Sequence, residues 1–522
     1  MTMTQWFIFL LIVQVIHFLG TWKLYVKAGR KSWEAAVPIY NGIVLMQIIN
    51  RPKWWIILLF IPVINLLMFP VIWVETIRSF GRNSNIDTIL AILTLGFYTY
   101  YVNYFLDVEY IKDRSLKPRT GAGEWVSSIV FAIVAATLVH TYFMQPYTIP
   151  TSSLEKTLLI GDFLFVSKFH YGARTPMTTV AAPMLHDTIP AIPIPFTGIK
   201  LTKKFRSYLN KPQLPYFRLP GFQKVKRNDI VVFSWPVDTV EQFFKRPTKK
   251  IRKPIDKKSN YVKRCVAVAG DSLEIIDGYI YINGERTILP DRAKPQYKFD
   301  VNTGGQQLST NMLVNRFKVR EGGRLQDGNY ILNLTDEDAG KLAKNPTVKS
   351  ITKRIEPKGY DGGVFPNVPS LGWNMDNYGP IYIPQKGKTV KLTKETFPFY
   401  KMIIKEYEKN NLIVNGDEIM INGKISDSYT FKQDYYWMMG DNRHNSEDAR
   451  YWGYVPFDHV VGKPVFIWFS WNSDEKGINK VRWERLFTTV GGNGEPVSYF
   501  YYFLGALGLW FVYDFVRKRR KA

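Results

Sequence analysis

Five apolar stretches constrain this chain more than any other feature: Gln5–Trp22, Trp54–Val74, Thr88–Leu106, Trp125–Met144 and Val497–Val516. The only charge in them is Asp514, near the end of the last. A bilayer is spanned by about 20 such residues. In hydrocarbon the backbone N–H and C=O groups must be satisfied within the segment, so the expected form is an α-helix. The sequence thus predicts a multi-span α-helical membrane region, with a kink in the second span at Pro62 or Pro70. Tryptophan and tyrosine crowd the ends of several stretches, as at a membrane–water interface.

Flanking charge predicts the orientation. Lys23, Lys27, Arg30, Lys31, Arg51 and Lys53 follow the first stretch, Lys112, Arg114, Lys117 and Arg119 the third, and Arg517, Lys518, Arg519, Arg520 and Lys521 the last. The loop after the second carries only Arg78 and Arg82. Basic loops stay cytoplasmic, so the N-terminus is expected outside, the C-terminus inside, and the block 146–496 outside. The expected layout is a three-span region over 1–123, an anchor span over 124–145, the block 146–496, and a last span with a basic tail over 497–522. Met1–Gln5 carries no basic residue, so the start does not read as a cleavable signal peptide.

The net charge of +25 raises the question of nucleic acid. Much of the charge lies beside the apolar stretches or in the run Lys245–Lys258, and no recognition helix or RNA-binding aromatic signature accompanies it. Anionic lipid headgroups are the expected partner, and nucleic acid is not. Cys265 is the single cysteine, so no internal disulfide forms. The six histidines are scattered, with no H-E-x-x-H or C-x-x-C spacing, and no metal or cofactor is expected.

The block 146–496 reads mainly as strands: Phe163–Lys168, Asp229–Trp235, Tyr261–Ala269 and Val465–Phe469, with a hairpin Leu273–Ile276/Tyr279–Ile282 turning at Asp277–Gly278. One helix is expected over Thr396–Lys409, with Thr396 as cap and Pro398 in the first turn. The predicted class is a mainly antiparallel β domain with insertions. The inserts fall at about 171–222, proline-rich with Pro193–Pro195, and at about 286–430.

Three blocks carry residues capable of chemistry. The first, Ile149–Asp162, sets Thr151, Ser152 and Ser153 after Pro150. The second, Asn260–Asp271, holds Lys263 in an apolar strand. Burial there favours the neutral amine, and a neutral lysine is a competent general base. Strand alternation points Lys263 and Cys265 to one face and Arg264 and Val266 to the other. The third, Met439–Val455, is a dense polar loop in which Asp448 and Arg450 can pair. Read singly, each has a plain alternative: a helix cap, a solvated edge-strand lysine, a solvated turn.

Taken together and in this order, the blocks resemble the signature boxes of bacterial type I signal peptidases, a serine–lysine dyad protease family. The nucleophile box is similar at Pro150, Ser152, Ser153, Thr157, Leu158, Gly161 and Asp162, and the lysine box at Lys263, Arg264, Gly270 and Asp271. The third box is similar at Gly440, Asp441, Asn442, Arg443, Asn445, Ser446, Asp448 and Arg450, followed by Trp452–Gly453. Departures are Thr151 for serine, Leu154 for methionine, Lys156 and Ala269 for proline, and His444 for aspartate.

The resemblance implies Ser153 as nucleophile, Lys263 as base, Ser446 orienting the lysine amine, and an oxyanion hole from the Ser153 N–H and the Thr151 hydroxyl. Arg264, Asp441, Asp448 and Arg450 would support them. Tyr147, Thr148, Ile149 and Pro150 would pair with a substrate cut after small, A-x-A-like residues. It further implies preproteins with signal peptides as substrates, membrane lipids and the secretion translocon as partners, and a multi-pass place in the bacterial cytoplasmic (inner) membrane. Two rival readings exist. Ser153–Leu154–Glu155–Lys156 is also S-x-x-K, the nucleophile motif of penicillin-binding enzymes, with Ser470–Trp471–Asn472 as an S-x-N but no K-T-G. The chain can also be a non-enzymatic membrane assembly protein. Cys265 beside Arg264 is a third, thiol, candidate nucleophile.

Overall fold

The computed structural model describes residues 2–118, 120–189, 205–240, 250–416 and 418–520. Pro193–Pro195 and the first part of the basic run, 245–249, lie outside the described residues. The chain divides into two units: Met1–Phe143 with Arg174–Leu219 and Arg252–Lys257, and Met144–Ala173 with Pro220–Ile251 and Lys258–Ala522.

The first unit is helical. Helix α1, Met3–Lys27, starts in a capping box in which Thr2 and Gln5 satisfy each other's backbone N–H groups. Then come α2, Tyr40–Ile48; α3, Trp55–Leu59; α4, Ile64–Ser79; α5, Asn85–Leu93; α6, Tyr98–Tyr104; and α7, Gly121–Leu138, continued by a π-turn over Val139–Phe143. Two of these helices, Met3–Lys27 and Gly121–Phe143, are long and apolar enough to cross a membrane. They cover the first and fourth expected spans.

The second and third expected spans are not single helices. The second breaks between α3 and α4 just after Pro62, where Val63 takes φ 70°. Pro70, the other candidate kink, sits inside α4. The third breaks between α5 and α6, where Leu95 and Gly96 both have positive φ. A Cβ on Gly96 would lie 2.5 Å from the Trp73 ring, so close packing as well as conformation requires glycine there. The fifth is one helix, Phe500–Arg519, with no buried residue, but its last turn takes in Arg517, Lys518 and Arg519.

Several polar groups inside this unit are matched. Glu75 accepts from Arg51 at 3.0 Å and from Arg114 at 2.5 Å, joining two of the basic loops. Asn103 Oδ1 accepts from the Leu24 N–H at 3.1 Å, and Tyr25 donates to the Asn41 carbonyl at 2.7 Å. The indole of Trp6 donates to the Gln213 carbonyl at 3.0 Å, tying the start of α1 to the 174–219 excursion.

The second unit is built on an eight-stranded antiparallel sheet. Its strands are β1, Met144–Thr148; β2, Asp162–Ser167; β3, Ile230–Ser234; β4, Asn260–Ala267; β5, Tyr435–Met439; β6, Val455–Pro456; β7, Val460–Ser470; and β8, Thr488–Thr489. They lie in the order β1-β2-β7-β3-β4-β5-β6, with β8 on β7. The expected strands fall within a residue or two of β2, β3 and β4, while β7 is longer than expected. Trp437, Tyr435, Tyr378 and Tyr454 are fully buried in the larger core. A smaller core holds Ile149, Leu154, Leu158, Leu164, Val166 and Val232.

The hairpin Ser272–Ile276/Tyr279–Ile282 turns where expected, with both Asp277 (φ 50°) and Gly278 (φ 80°) left-handed, as a two-residue turn matching strand twist requires. Within the second insert, strands Tyr297–Asn302, Gly322–Arg324, Tyr330–Leu334 and Ser350–Lys353 form a sheet with its own core of Phe299, Val301, Leu332, Leu334 and Leu342. The expected helix is shorter, Phe397–Met402 with a π-turn over Ile403–Tyr407. Thr396 does not cap it; its hydroxyl donates instead to the Lys391 carbonyl.

Candidate active site

Ser153 is set just past the end of edge strand β1. The Ile149 N–H donates to the Asp162 carbonyl and the Gly161 N–H to the Ile149 carbonyl, both at 2.9 Å, carrying the β1–β2 pairing beyond Thr148. The chain then makes a short 3-10 turn, Ser152–Leu154, pinned by buried Leu154 and Leu158. Ser153 is buried. The Thr151 hydroxyl makes no capping bond. Tyr147, Thr148, Ile149 and Pro150 lie on or just after β1, which ends the sheet order.

Lys263 lies inside β4, opposite Val231 of β3. It is 4% exposed. Burial pushes its amine down to about 8, against the opposing pull of Asp448 and Glu447. Two of the neighbouring carboxylates are already engaged. Asp441 takes a two-pronged bond from Arg264 at 2.8 and 2.6 Å, and Asp448 one from Arg450 at 2.9 Å on both oxygens. Among the described residues no carboxylate reaches ion-pair distance of Lys263. Pairing Asp441 and Asp448 elsewhere keeps this lysine from being locked in its charged form.

The β4–β5 register sets Arg264 against Met439, so Lys263 lies beside the point where β5 runs into Gly440. Gly440 is where the three blocks meet. A Cβ there would lie 2.2 Å from Ser446 Oγ and 2.5 Å from the Ser153 carbonyl oxygen, contacts no side chain tolerates. The Gly440 N–H donates to Asp448 at 3.1 Å, and the Asn442 N–H to the Ser153 carbonyl at 3.0 Å. Ser446 is buried, and its hydroxyl has no partner among the described residues. The geometry thus gathers Ser153 and Ser446 around one glycine, just past the strand that pairs with β4, which carries Lys263.

Cys265 does not belong to this group. It is fully buried, its thiol points to the Ala267 carbonyl, and burial raises its pKa, which leaves it inert. Lys156 is also directed away: its amine contacts the Asp338 carboxylate and donates to the Phe317 carbonyl at 2.9 Å. Both partners lie in the second insert.

That insert supplies residues which no motif announced. Glu321 accepts from the Ser152 hydroxyl, from Asn442 Nδ2 at 2.8 Å, from Asn445 Nδ2, and from Asn333 Nδ2 at 3.0 Å. Gln296 donates through Nε2 to the Glu155 carbonyl at 3.0 Å and through its backbone N–H to the Asp441 carbonyl at 2.8 Å. His444 joins Asp376 at 2.8 Å. The only hint in the sequence was that the insert lies between the lysine box and the third box.

Comparison with known proteins follows the same lines. The family model described as signal peptidase, peptidase S26, matches residues 122–335 and 386–471. A family of unknown function, DUF5684, matches residues 33–113, within the helical unit. Signal peptidase I of Helicobacter pylori (strain ATCC 700392 / 26695) is 26% identical over 387 residues, covering 70% of this chain and 91% of that protein. Signal peptidase I of Buchnera aphidicola subsp. Baizongia pistaciae is 25% identical over 339 residues, 64% of this chain and 73% of that protein. Signal peptidase I of Haemophilus influenzae is 22% identical over 379 residues, 72% and 78% respectively. With the S26 match extending over more than half of its residues, the chain belongs to the signal peptidase family, peptidase S26.

Proposed function

We propose that this chain is a serine endopeptidase that removes N-terminal signal peptides from exported preproteins, with Ser153 and Lys263 as its dyad. The observation that carries the reading is the buried Lys263, without an ion pair among the described residues, on the strand paired with the one that runs into the Gly440 turn, which contacts Ser153 and Ser446. In this reading Ser153 Oγ attacks the scissile carbonyl while neutral Lys263 accepts the hydroxyl proton. The protonated amine then delivers that proton to the leaving amine, which departs as the new N-terminus of the mature protein. Lys263 next takes a proton from water as the hydroxide attacks the acyl-serine ester; the ester C–O bond then breaks, the protonated amine returns the proton to Ser153 Oγ, and the signal peptide leaves with a free carboxylate. Ser446 orients the amine. The Ser153 N–H and Thr151 hydroxyl stabilise the oxyanion, a contribution of about 3 kcal/mol per donor.

The place of β1 at the end of the strand order suits a substrate that adds as a further strand through Tyr147, Thr148, Ile149 and Pro150. Small side chains beside the cut, as in A-x-A-like sites, would fit next to so crowded a turn. Helices Met3–Lys27 and Gly121–Phe143 would anchor the enzyme in the bacterial cytoplasmic membrane, with Phe500–Arg519 as a further span. The bond between Trp6 and Gln213 supports an outside N-terminus, because it sets the start of α1 on the side of the 174–219 excursion. The secretion translocon and anionic lipids are the expected partners. The penicillin-binding reading loses support because Lys156 is engaged by Asp338 and Phe317. Incubating the detergent-solubilised protein with a model preprotein and mapping the new N-terminus tests the proposal. No cut, or a cut unaffected by Ser153→Ala, overturns it.

A further inference from the structure

The chemistry above leaves Arg443, a buried cation, unaccounted for. Arg443 lies between Asn442, which bonds to Ser153, and His444, which is held by Asp376. It is 2% exposed, and its Nε has no hydrogen-bond partner. Among the described residues no carboxylate pairs with its guanidinium. A buried guanidinium without a counter-charge is costly, because desolvation is then not offset by an ion pair or by hydrogen bonds.

Arg443 lines a cavity of about 130 Å³, together with Tyr279, Arg286, Thr287, Tyr297 and Asp336 among others. The Thr287 hydroxyl is a second buried polar atom without a partner. Arg286, exposed at the rim, sets its guanidinium 3.9 Å from the Tyr279 ring centroid. Asp336, the one acid in the lining, is already engaged by the Tyr279 hydroxyl at 2.9 Å and by Lys353 at 2.5 Å. The lining therefore offers two guanidinium groups and a hydroxyl, with its acid neutralised.

We propose that this cavity binds a small oxyanion, a carboxylate or inorganic phosphate, held by Arg443 and Thr287 within and Arg286 at the mouth. Planar guanidinium groups suit either ligand, since both present paired oxygens. Arg443 belongs to the same loop as Asp441, Asn442 and Ser446, so the bound anion steadies that loop. The site stands whether or not the dyad assignment does.

The test is thermal unfolding of the full chain in detergent, followed by tryptophan fluorescence. Sodium phosphate and sodium acetate are titrated separately against sodium chloride at matched ionic strength. In at least one arm Tm is expected to rise saturably by about 2–4 °C. Arg286→Gln and Thr287→Val should each lose that rise while cleaving a preprotein in chloride buffer at the wild-type rate. The two arms separate a phosphate site from a carboxylate site. No saturable rise in either arm, or an equal rise in both variants, overturns the proposal and leaves the cavity to water.

Discussion

The backbone N–H of Asn442 donates to the carbonyl of Ser153 at 3.0 Å. Ser153 follows β1 at one edge of the sheet, and Asn442 follows β5 near the other, so this bond closes the sheet's ends around Gly440. Ser153, Lys263 and Ser446 come from three distant stretches of chain.

Ser153→Ala and Lys263→Ala should each lower kcat by about 10³-fold or more, with the double variant scarcely worse than either, because the pair acts as a unit. Lys263→Arg should be equally inactive, since a guanidinium stays protonated. Lys156→Ala should keep most activity. Single-turnover cleavage of a preprotein measures all five, and an inactive Lys156→Ala beside an active Lys263→Ala would reverse the assignment.

Gly440→Ala should fold less stably and lose about 10²-fold in kcat, because its Cβ forces Ser446 and the Ser153 carbonyl apart. Serine-reactive probe labelling of the purified variant should fall in parallel. Undiminished labelling would mean that the turn tolerates the methyl group.

Activity should rise with pH through about 8, as Lys263 loses its proton. The unfolded chain holds that proton to the ordinary 10.5, so stability from Lys263 is present above 10.5 and lost as pH falls through about 8. Glu155 runs the other way. Burial raises its carboxyl to about 7 from 4.5, so its contribution is present below 4.5 and lost as pH rises through about 7. Glu155→Gln should therefore stabilise the protein above pH 7, by on the order of 2 kcal/mol. Denaturant unfolding at pH 5 and pH 8 measures the difference.

Glu321→Gln should lower kcat by about tenfold with little change in KM, because an amide cannot accept from all four of its present donors. Glu321→Ala should lose more. If KM rose while kcat held, Glu321 would be acting on substrate binding and not on the placement of Ser153.

Local pattern made much of this protein legible. Alternation and β-branched runs marked β2, β3 and β4, Asp277–Gly278 marked the hairpin turn, and an apolar strand around Lys263 foretold its lowered pKa. Helices Met3–Lys27 and Gly121–Phe143 were legible because length and apolarity are properties of a single segment. The Asp448–Arg450 pair was legible because its partners are two residues apart.

Tertiary structure decided the rest. Whether an apolar stretch runs on as one helix depends on what packs beside it: Gly96 lies against Trp73, a contact that hydropathy cannot register. Lys156 sits three residues from Ser153 in sequence, yet its charge is settled by Asp338 in an insert folded against it. Glu321 carries no motif and bonds to Ser152 only because the insert's sheet brings it there. Residue order supplied the chemical groups and their local backbone; long-range packing supplied distance, burial and the choice of partner, on which the reactivity of Lys263 depends.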